Sequence, residues 1–152
     1  MNDVAQFSWI DVAPIWARLN DGLIALVDRI PSDKMAWTPK ADLWSIREIL
    51  LHMPSGRDVW LTRDVKDGIE TPEPSPASTN QDIQDSYRRT WRRLEPFLMN
   101  VHRLDATYPT RRGPRTGHWI AFHLLEHEIH HRAEVLHYLA MLDIPTPSVS
   151  TD

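Results

Sequence analysis

The chemistry in this chain is concentrated in its histidines: eight in 152 residues, with no cysteine. Without thiolates there is no disulfide framework, thiolate zinc site or iron–sulfur cluster, so a metal would have to be held by imidazole or carboxylate. Late in the chain the sequence reads His118-Trp-Ile-Ala-Phe-His123-Leu-Leu-Glu-His127-Glu-Ile-His130-His131-Arg-Ala-Glu-Val-Leu-His137. At about 100° per residue, Ile120, Leu124, His127, His131, Val135, Tyr138 and Leu142 fall within one helical stripe about 80° wide. His127 and His131 therefore face the core. His123, His130 and His137 lie some 60 to 100° away on the same wheel and are weaker ligand candidates.

Two imidazoles at i and i+4 on one helical face converge above a single turn and can share a metal. His52 precedes every other histidine by a wide margin and shares a helical line with Ile49, Val59 and Trp60. A triad of His52, His127 and His131 supplies three neutral nitrogen donors and leaves coordination positions open, which points to catalysis rather than to a closed structural site. The competing reading is that these rings are ordinary core or surface residues satisfied by carbonyls and carboxylates. Their place on an apolar stripe brings the metal reading level with the plain one, because buried imidazoles need partners and one ion serves both. Haem held by paired histidines is disfavoured, since ligands on one turn cannot flank a porphyrin.

Four helical segments must position these groups. The first runs from about Ser8 to Ile30, with Ile15, Trp16, Leu19, Leu23, Leu26, Val27 and Ile30 in helical spacing; Pro14 suits a first turn, so the regular part is expected from Asp11 or Val12. The second opens at Ser45, with Glu48 closing a capping box and Trp44 and Ile49 placed for a hydrophobic staple. Pro54 lies inside it, removes the bond to the Leu50 carbonyl and predicts a kink or brief interruption before the segment ends near Gly68. A proline-rich stretch, Thr71-Pro-Glu-Pro-Ser-Pro-Ala-Ser-Thr-Asn80, reads as a crossover loop. The third segment starts near Asn80 with Ile83, Tyr87, Trp91, Leu94, Leu98 and Val101 on one stripe and Arg88, Arg89, Arg92 and Arg93 mostly outside it. After a polar loop the last helix runs from about Gly117 to Leu142, stopped by Pro145. With no alternating strand pattern, the expected fold is all-α: a four-helix bundle with a long Pro-rich crossover between helices two and three.

Composition bounds the function. Apolar residues at 41% and charged residues at 25% suit a globular protein, and the length suits one domain spanning residues 1–152. Lys+Arg 17 against Asp+Glu 21 gives a net charge of −4, which argues against nucleic acid as a partner. No apolar run is long enough for a bilayer, and Met1-Asn-Asp-Val-Ala-Gln lacks the features of a signal peptide, so a cytoplasmic protein without a membrane partner is expected.

The segment Trp37-Thr-Pro-Lys-Ala-Asp-Leu-Trp44-Ser45-Ile-Arg-Glu48-Ile-Leu-Leu-His52, with His127-Glu-Ile-His130-His131-Arg132 much later, resembles the DinB family of DinB/YfiT-like metalloenzymes over nearly the whole chain. The resemblance implies a four-helix bundle, frequently a homodimer, with a divalent metal, zinc or nickel, on His52, His127 and His131. It also implies transferase or isomerase chemistry with a low-molecular-weight thiol activated at the metal; for this chain the expectation is a transferase or hydrolase acting on a small-molecule substrate, with that thiol or water as the activated group. The absence of cysteine fits a thiol that arrives from outside. The alternative is a non-enzymatic metal-binding or dimerisation module built on the same triad.

Members commonly follow the His-His-Arg run with Gly-Gln, where this chain has Ala133-Glu134. Glu134, near the edge of the ligand stripe, is a candidate for orienting a ligand histidine or serving as general base, against the plainer reading of a solvated helix residue. Arg111, Arg112 and Arg115 precede the last helix, where an anion is favoured, although three arginines in a polar loop are also unremarkable. Trp37 and Trp44 read as capping residues, and Tyr87 and Tyr138 as hydroxyls within reach of a metal cavity.

Overall fold

The computed structural model describes residues 8–70 and 79–146. The amino-terminal residues 1–7 and residues 71–78, on which the expected proline-rich crossover falls, lie outside these. Helix α1 (Trp9–Arg29) is capped by Ser8, whose side chain accepts the Ile10 N–H. It starts earlier than Pro14 led us to expect, with that proline in its second turn. Proline there frees only the carbonyl of Ile10, a residue 62% exposed, so water can satisfy it. The buried face runs through Trp9, Ala13, Trp16, Asn20, Leu23 and Val27 rather than Ile15, which points outward.

Helix α2 (Ile46–Val59) begins with the full capping box: the Ser45 hydroxyl accepts the Glu48 N–H, and the Glu48 carboxylate accepts the Ser45 N–H at 2.7 Å. It passes through Pro54 without interruption. The Leu50 carbonyl that Pro54 cannot bond accepts the Tyr87 hydroxyl instead, at 2.7 Å. The irregularity comes one turn later, in a π-helical turn (Trp60–Val65) ended by Lys66 in the left-handed conformation, φ 57°. Val59, expected in the core, is exposed.

Helix α3 (Asn80–Leu98) carries a second capping box, Thr79 with Asp82. Ile83, Tyr87, Leu94 and Leu98 are buried as expected, but Val101 is exposed in a short helix α4 (Val101–Asp105). Arg93 departs from the expected solvated face: it is buried, paired with Asp58 and Asp67. The polar loop before the last helix is an antiparallel hairpin of β1 (Thr107–Thr110) and β2 (Gly113–Thr116), paired Thr107 to Thr116 and Thr110 to Gly113. The fold is therefore mostly helical with one small two-stranded sheet. Helix α5 (Gly117–Met141) is capped by Thr116 and closed by Asp143 at φ 54°. No helix among the described residues is long and apolar enough to cross a membrane.

Two apolar clusters share the four long helices. One gathers Leu23, Val27, Leu50, Met53, Tyr87 and Val135; the other Trp16, Trp60, Leu94, Phe97, Ile120 and Leu124. At the step between them each helix contributes a buried polar residue to a single network: Asn20, Arg57, Thr90 and Glu128. Arg57 donates through Nε and Nη2 to the two oxygens of Glu128 (2.5 and 2.7 Å) and through Nη1 to Asn20 Oδ1 (2.8 Å) and Thr90 Oγ1 (3.2 Å). The Trp16 indole adds a bond to Glu128 at 2.7 Å. Every nitrogen of a guanidinium with no exposed surface thus has a partner, the condition on which a buried charge is tolerated.

Candidate metal centre

Next to this polar layer, α2 and α5 bring three imidazoles together. His52 projects from α2, His127 and His131 from α5, and their potential ligand nitrogens all lie within 4.8 Å of one another. The Nε2 atoms of His52 and His127 are 2.8 Å apart. Ring centroids are separated by 4.6 Å for His52–His127, 4.8 Å for His52–His131 and 4.5 Å for His127–His131. The close approach of α5 depends on Gly56: a Cβ there would stand 3.1 Å from His127 Cε1.

The electrostatics favour the neutral form of His52 and His127. Burial, reinforced by the neighbouring His131 and His52, pushes the His127 pKa down to about 3. His52 is lowered by burial and by His131, with Glu134 partly opposing. A neutral imidazole presents one lone pair, the form a metal requires. His131 has its tautomer arranged by Glu134, whose Oε2 lies 2.6 Å from Nδ1 and leaves Nε2 for the cluster.

The residues present fit a divalent ion. His127 Nδ1 is buried with no hydrogen-bond partner among the described residues, so this ring is held by packing and by whatever meets its other nitrogen. Nitrogens sharing one tetrahedral zinc at ~2.0–2.1 Å stand about 3.3 Å apart, so the His52–His127 pair needs to open by only about half an ångström. A second group, His130, His131 and Glu134, also lies within ligand distance, but His130 is exposed on the rim.

Two cavities flank the triad. One, of about 330 Å³, has His52 and His127 in its wall together with His123, Arg63, Arg111 and Arg112. The other, of about 230 Å³, lies against His131 and Glu134, with Asp42, Trp44 and Tyr138. Trp44 is no simple cap: its ring lies 4.6 Å from that of His52 and 5.9 Å from that of His131. Trp37 packs on Tyr138 against the core. Tyr138 reaches the smaller cavity, whereas Tyr87 is turned away to Leu50. His123 stacks on Trp119 at 5.1 Å and meets Trp60 edge-on, and burial with the Arg112 charge lowers its pKa. His137 is exposed, and His118 is engaged by Trp9 and Asp105.

Sequence reasoning missed Gly56, Arg57 and Glu128. Glu128 lies about 20° beyond the Val135 edge of the ligand stripe on the helical wheel, a faint signal of burial. Only the pairing with Arg57 makes sense of it.

A mostly helical chain with three imidazoles converging between two of its helices is the kind of protein defined here. The model of the DinB superfamily matches residues 16–135, and the chain belongs to that superfamily. Three solved structures are similar. A DinB-like protein of Bacillus cereus has TM-score 0.74 and 15% identity, over 90% of this chain and 94% of its own. A DinB-like protein of Bacillus subtilis has TM-score 0.70 and 19% identity, over 88% and 93%. A putative DinB family member of Exiguobacterium sibiricum has TM-score 0.71 and 16% identity, over 97% and 99%. At these identities the likeness is one of fold. No curated protein matches the chain.

Proposed function

We propose that this protein is a metal-dependent enzyme acting on a small molecule, built as a four-helix bundle in which His52, His127 and His131 hold a divalent ion, zinc or nickel. The observation that carries the reading is the convergence of three ligand nitrogens within 4.8 Å beside a cavity. Three imidazoles leave coordination positions free for a reactant. An ion bound there would supply Lewis acidity, lowering the pKa of a low-molecular-weight thiol or of water and making it a nucleophile.

The chain's own residues do the rest. Burial holds His52 and His127 deprotonated near neutral pH, so they present lone pairs without first losing protons. Glu134 orients His131 through Nδ1. Gly56 lets the His127 ring lie against α2, and the Arg57–Glu128 pair next to both residues holds α2 and α5 in register. With no cysteine, the chain offers no thiol of its own, so a thiol nucleophile would come from solution. A reduced thiol of this kind suits a cytoplasmic protein. The homodimer implied by the family resemblance belongs to the same reading and is read by sedimentation.

Elemental analysis of the purified protein beside His52→Ala and His127→Ala variants tests the site: the wild type carries divalent metal and both variants lose it. Wild type free of metal, purified without chelators, would sink the reading. Turnover is then read with a panel of thiols and of water against electrophilic substrates. No turnover by a metal-loaded protein leaves a helical metal-binding module without enzymatic activity.

A further inference from the structure

The larger cavity beside the triad is charged with one sign. Arg63, Arg111 and Arg112 line it and no carboxylate does, while the smaller cavity against His131 carries Asp42 and Glu134. In a chain of net charge −4, this gathering of three guanidinium groups around about 330 Å³ runs against the overall balance. Arg111 and Arg112 are exposed at this cavity, and cationic side chains clustered along one cleft attract anions.

The three arginines are not equivalent. Arg63 is committed to Asp64, with Nε at 3.0 Å and Nη2 at 2.5 Å from one carboxylate oxygen, and its guanidinium rests on Trp60. Arg111 and Arg112 have no ion pair or side-chain hydrogen bond among the described residues. They are the two turn residues of the hairpin, and the turn beneath them is firmly built. The Thr110 hydroxyl donates to the Gly113 carbonyl at 2.7 Å and accepts the Arg112 N–H at 3.1 Å, while Gly113 takes φ 85°, open to glycine without strain. Strand β1 packs against the π-helical turn that carries Trp60 and Arg63, which sets the hairpin tip over the cavity. Arg115 in β2 is occupied elsewhere, over the Trp119 ring at 4.9 Å.

We propose that this cavity takes a small organic anion, its carboxylate or phosphate group on Arg111 and Arg112 and its reacting end at His52 and His127. The proposal rests on the metal-site reading and adds to it a substrate class. The tip guanidinium groups supply forked donors that suit a planar or tetrahedral oxyanion. Their preset backbone reduces the ordering cost of binding. His123, stacked on Trp119, adds a flat aromatic ring to the same cavity wall, against which a carbon skeleton can lie.

The test titrates zinc-loaded protein by calorimetry with ω-mercaptocarboxylates of increasing chain length, the matching ω-mercaptoalkyl phosphates and the neutral ω-mercaptoalcohols. The better anion binds at least about tenfold tighter than the alcohol, a preference that added salt erodes. Arg111→Ala and Arg112→Ala each remove about tenfold from the anion's affinity and leave the alcohol's unchanged, whereas Arg115→Ala changes neither. The ranking of carboxylate against phosphate identifies the anion. Equal binding of anion and alcohol by the wild type overturns the proposal, as does a preference that survives the Arg111→Ala/Arg112→Ala double variant. The same preference is read on metal-free protein by chemical-shift titration with thiol-free alkanoates and alkanols. A protein that takes no zinc then overturns the metal reading alone, and one that takes zinc without preferring anions overturns the anion site alone.

Discussion

Arg57 and Glu128, 71 positions apart, meet through two parallel hydrogen bonds of 2.5 and 2.7 Å, each one residue along its helix from a residue that shapes the metal centre. Gly56 precedes Arg57 on α2, and His127 precedes Glu128 on α5. The pair therefore ties the two walls of the site together from inside the core. Truncating Glu128 leaves a guanidinium with no exposed surface facing an empty space, and the bonds from Asn20 and Thr90 cannot replace a countercharge. Glu128→Ala is expected to cost about 3–5 kcal/mol in urea denaturation. A loss below about 1 kcal/mol would mean that the pair does not join the helices.

Gly56→Ala separates stability from metal affinity. Alanine in a helix interior is favoured over glycine by about 1 kcal/mol. The new Cβ would meet His127 Cε1 at 3.1 Å, closer than ordinary packing, so the ring must yield by a few tenths of an ångström. The expected outcome is a protein of equal or greater stability whose metal affinity falls about tenfold, the lower end of what displaced ligand support costs. Gly22→Ala is the control, because nothing stands within 4 Å of its added Cβ. Metal titration and thermal denaturation of both variants check the prediction, and an unchanged affinity in Gly56→Ala counts against His127 as a ligand.

Local signals carried most of the helical architecture. The Ser45–Glu48 capping box spans four residues, and the stripe that aligned His127 with His131 needs only one helix, so both are readable before any tertiary structure exists. The hairpin was not readable: each strand has four residues, and each contains a proline, Pro109 opposite Pro114, so alternation had no length in which to appear. Buried charge was hidden for a different reason. Glu128 and Arg93 look like solvated helix residues until partners from another helix, Arg57 and Asp58, remove the cost of burying them. Trp44 was hidden in the same way, since only the arrival of α5 shows that its ring lies over both His52 and His131.

The Tyr87 hydroxyl takes over a hydrogen bond that Pro54 forfeits, and this coupling is measurable. Tyr87 is fully buried and donates to the Leu50 carbonyl, the acceptor that an N–H at position 54 would ordinarily reach. Burial also raises the pKa of this phenol well above its usual value, so it remains a donor throughout the accessible pH range. Tyr87→Phe is expected to destabilise by about 1–2 kcal/mol, because the carbonyl is left without a partner. In a Pro54→Ala background the restored N–H serves Leu50, and the same substitution should cost measurably less. Additive effects in this double-mutant cycle would show that the two groups do not share the carbonyl.

The depressed histidines make the metal-free protein acid-sensitive in a defined window. In the unfolded chain His127 titrates near its ordinary value of 6.5, while in the folded protein burial and the neighbouring histidines hold it at about 3. Between these values the unfolded state binds the extra proton, so stability rises with pH there and is lost as pH falls from about 6.5 toward about 3. His52, lowered in the same direction, adds to the slope just below 6.5. Denaturation of metal-stripped protein across mildly acidic pH should show this decline, and His127→Leu should flatten it. Added zinc should steepen the decline, because protons then compete with the ion as well as with the fold. A metal-stripped wild type whose stability is level from pH 7 down to pH 5 would mean that His127 is not held neutral by its surroundings.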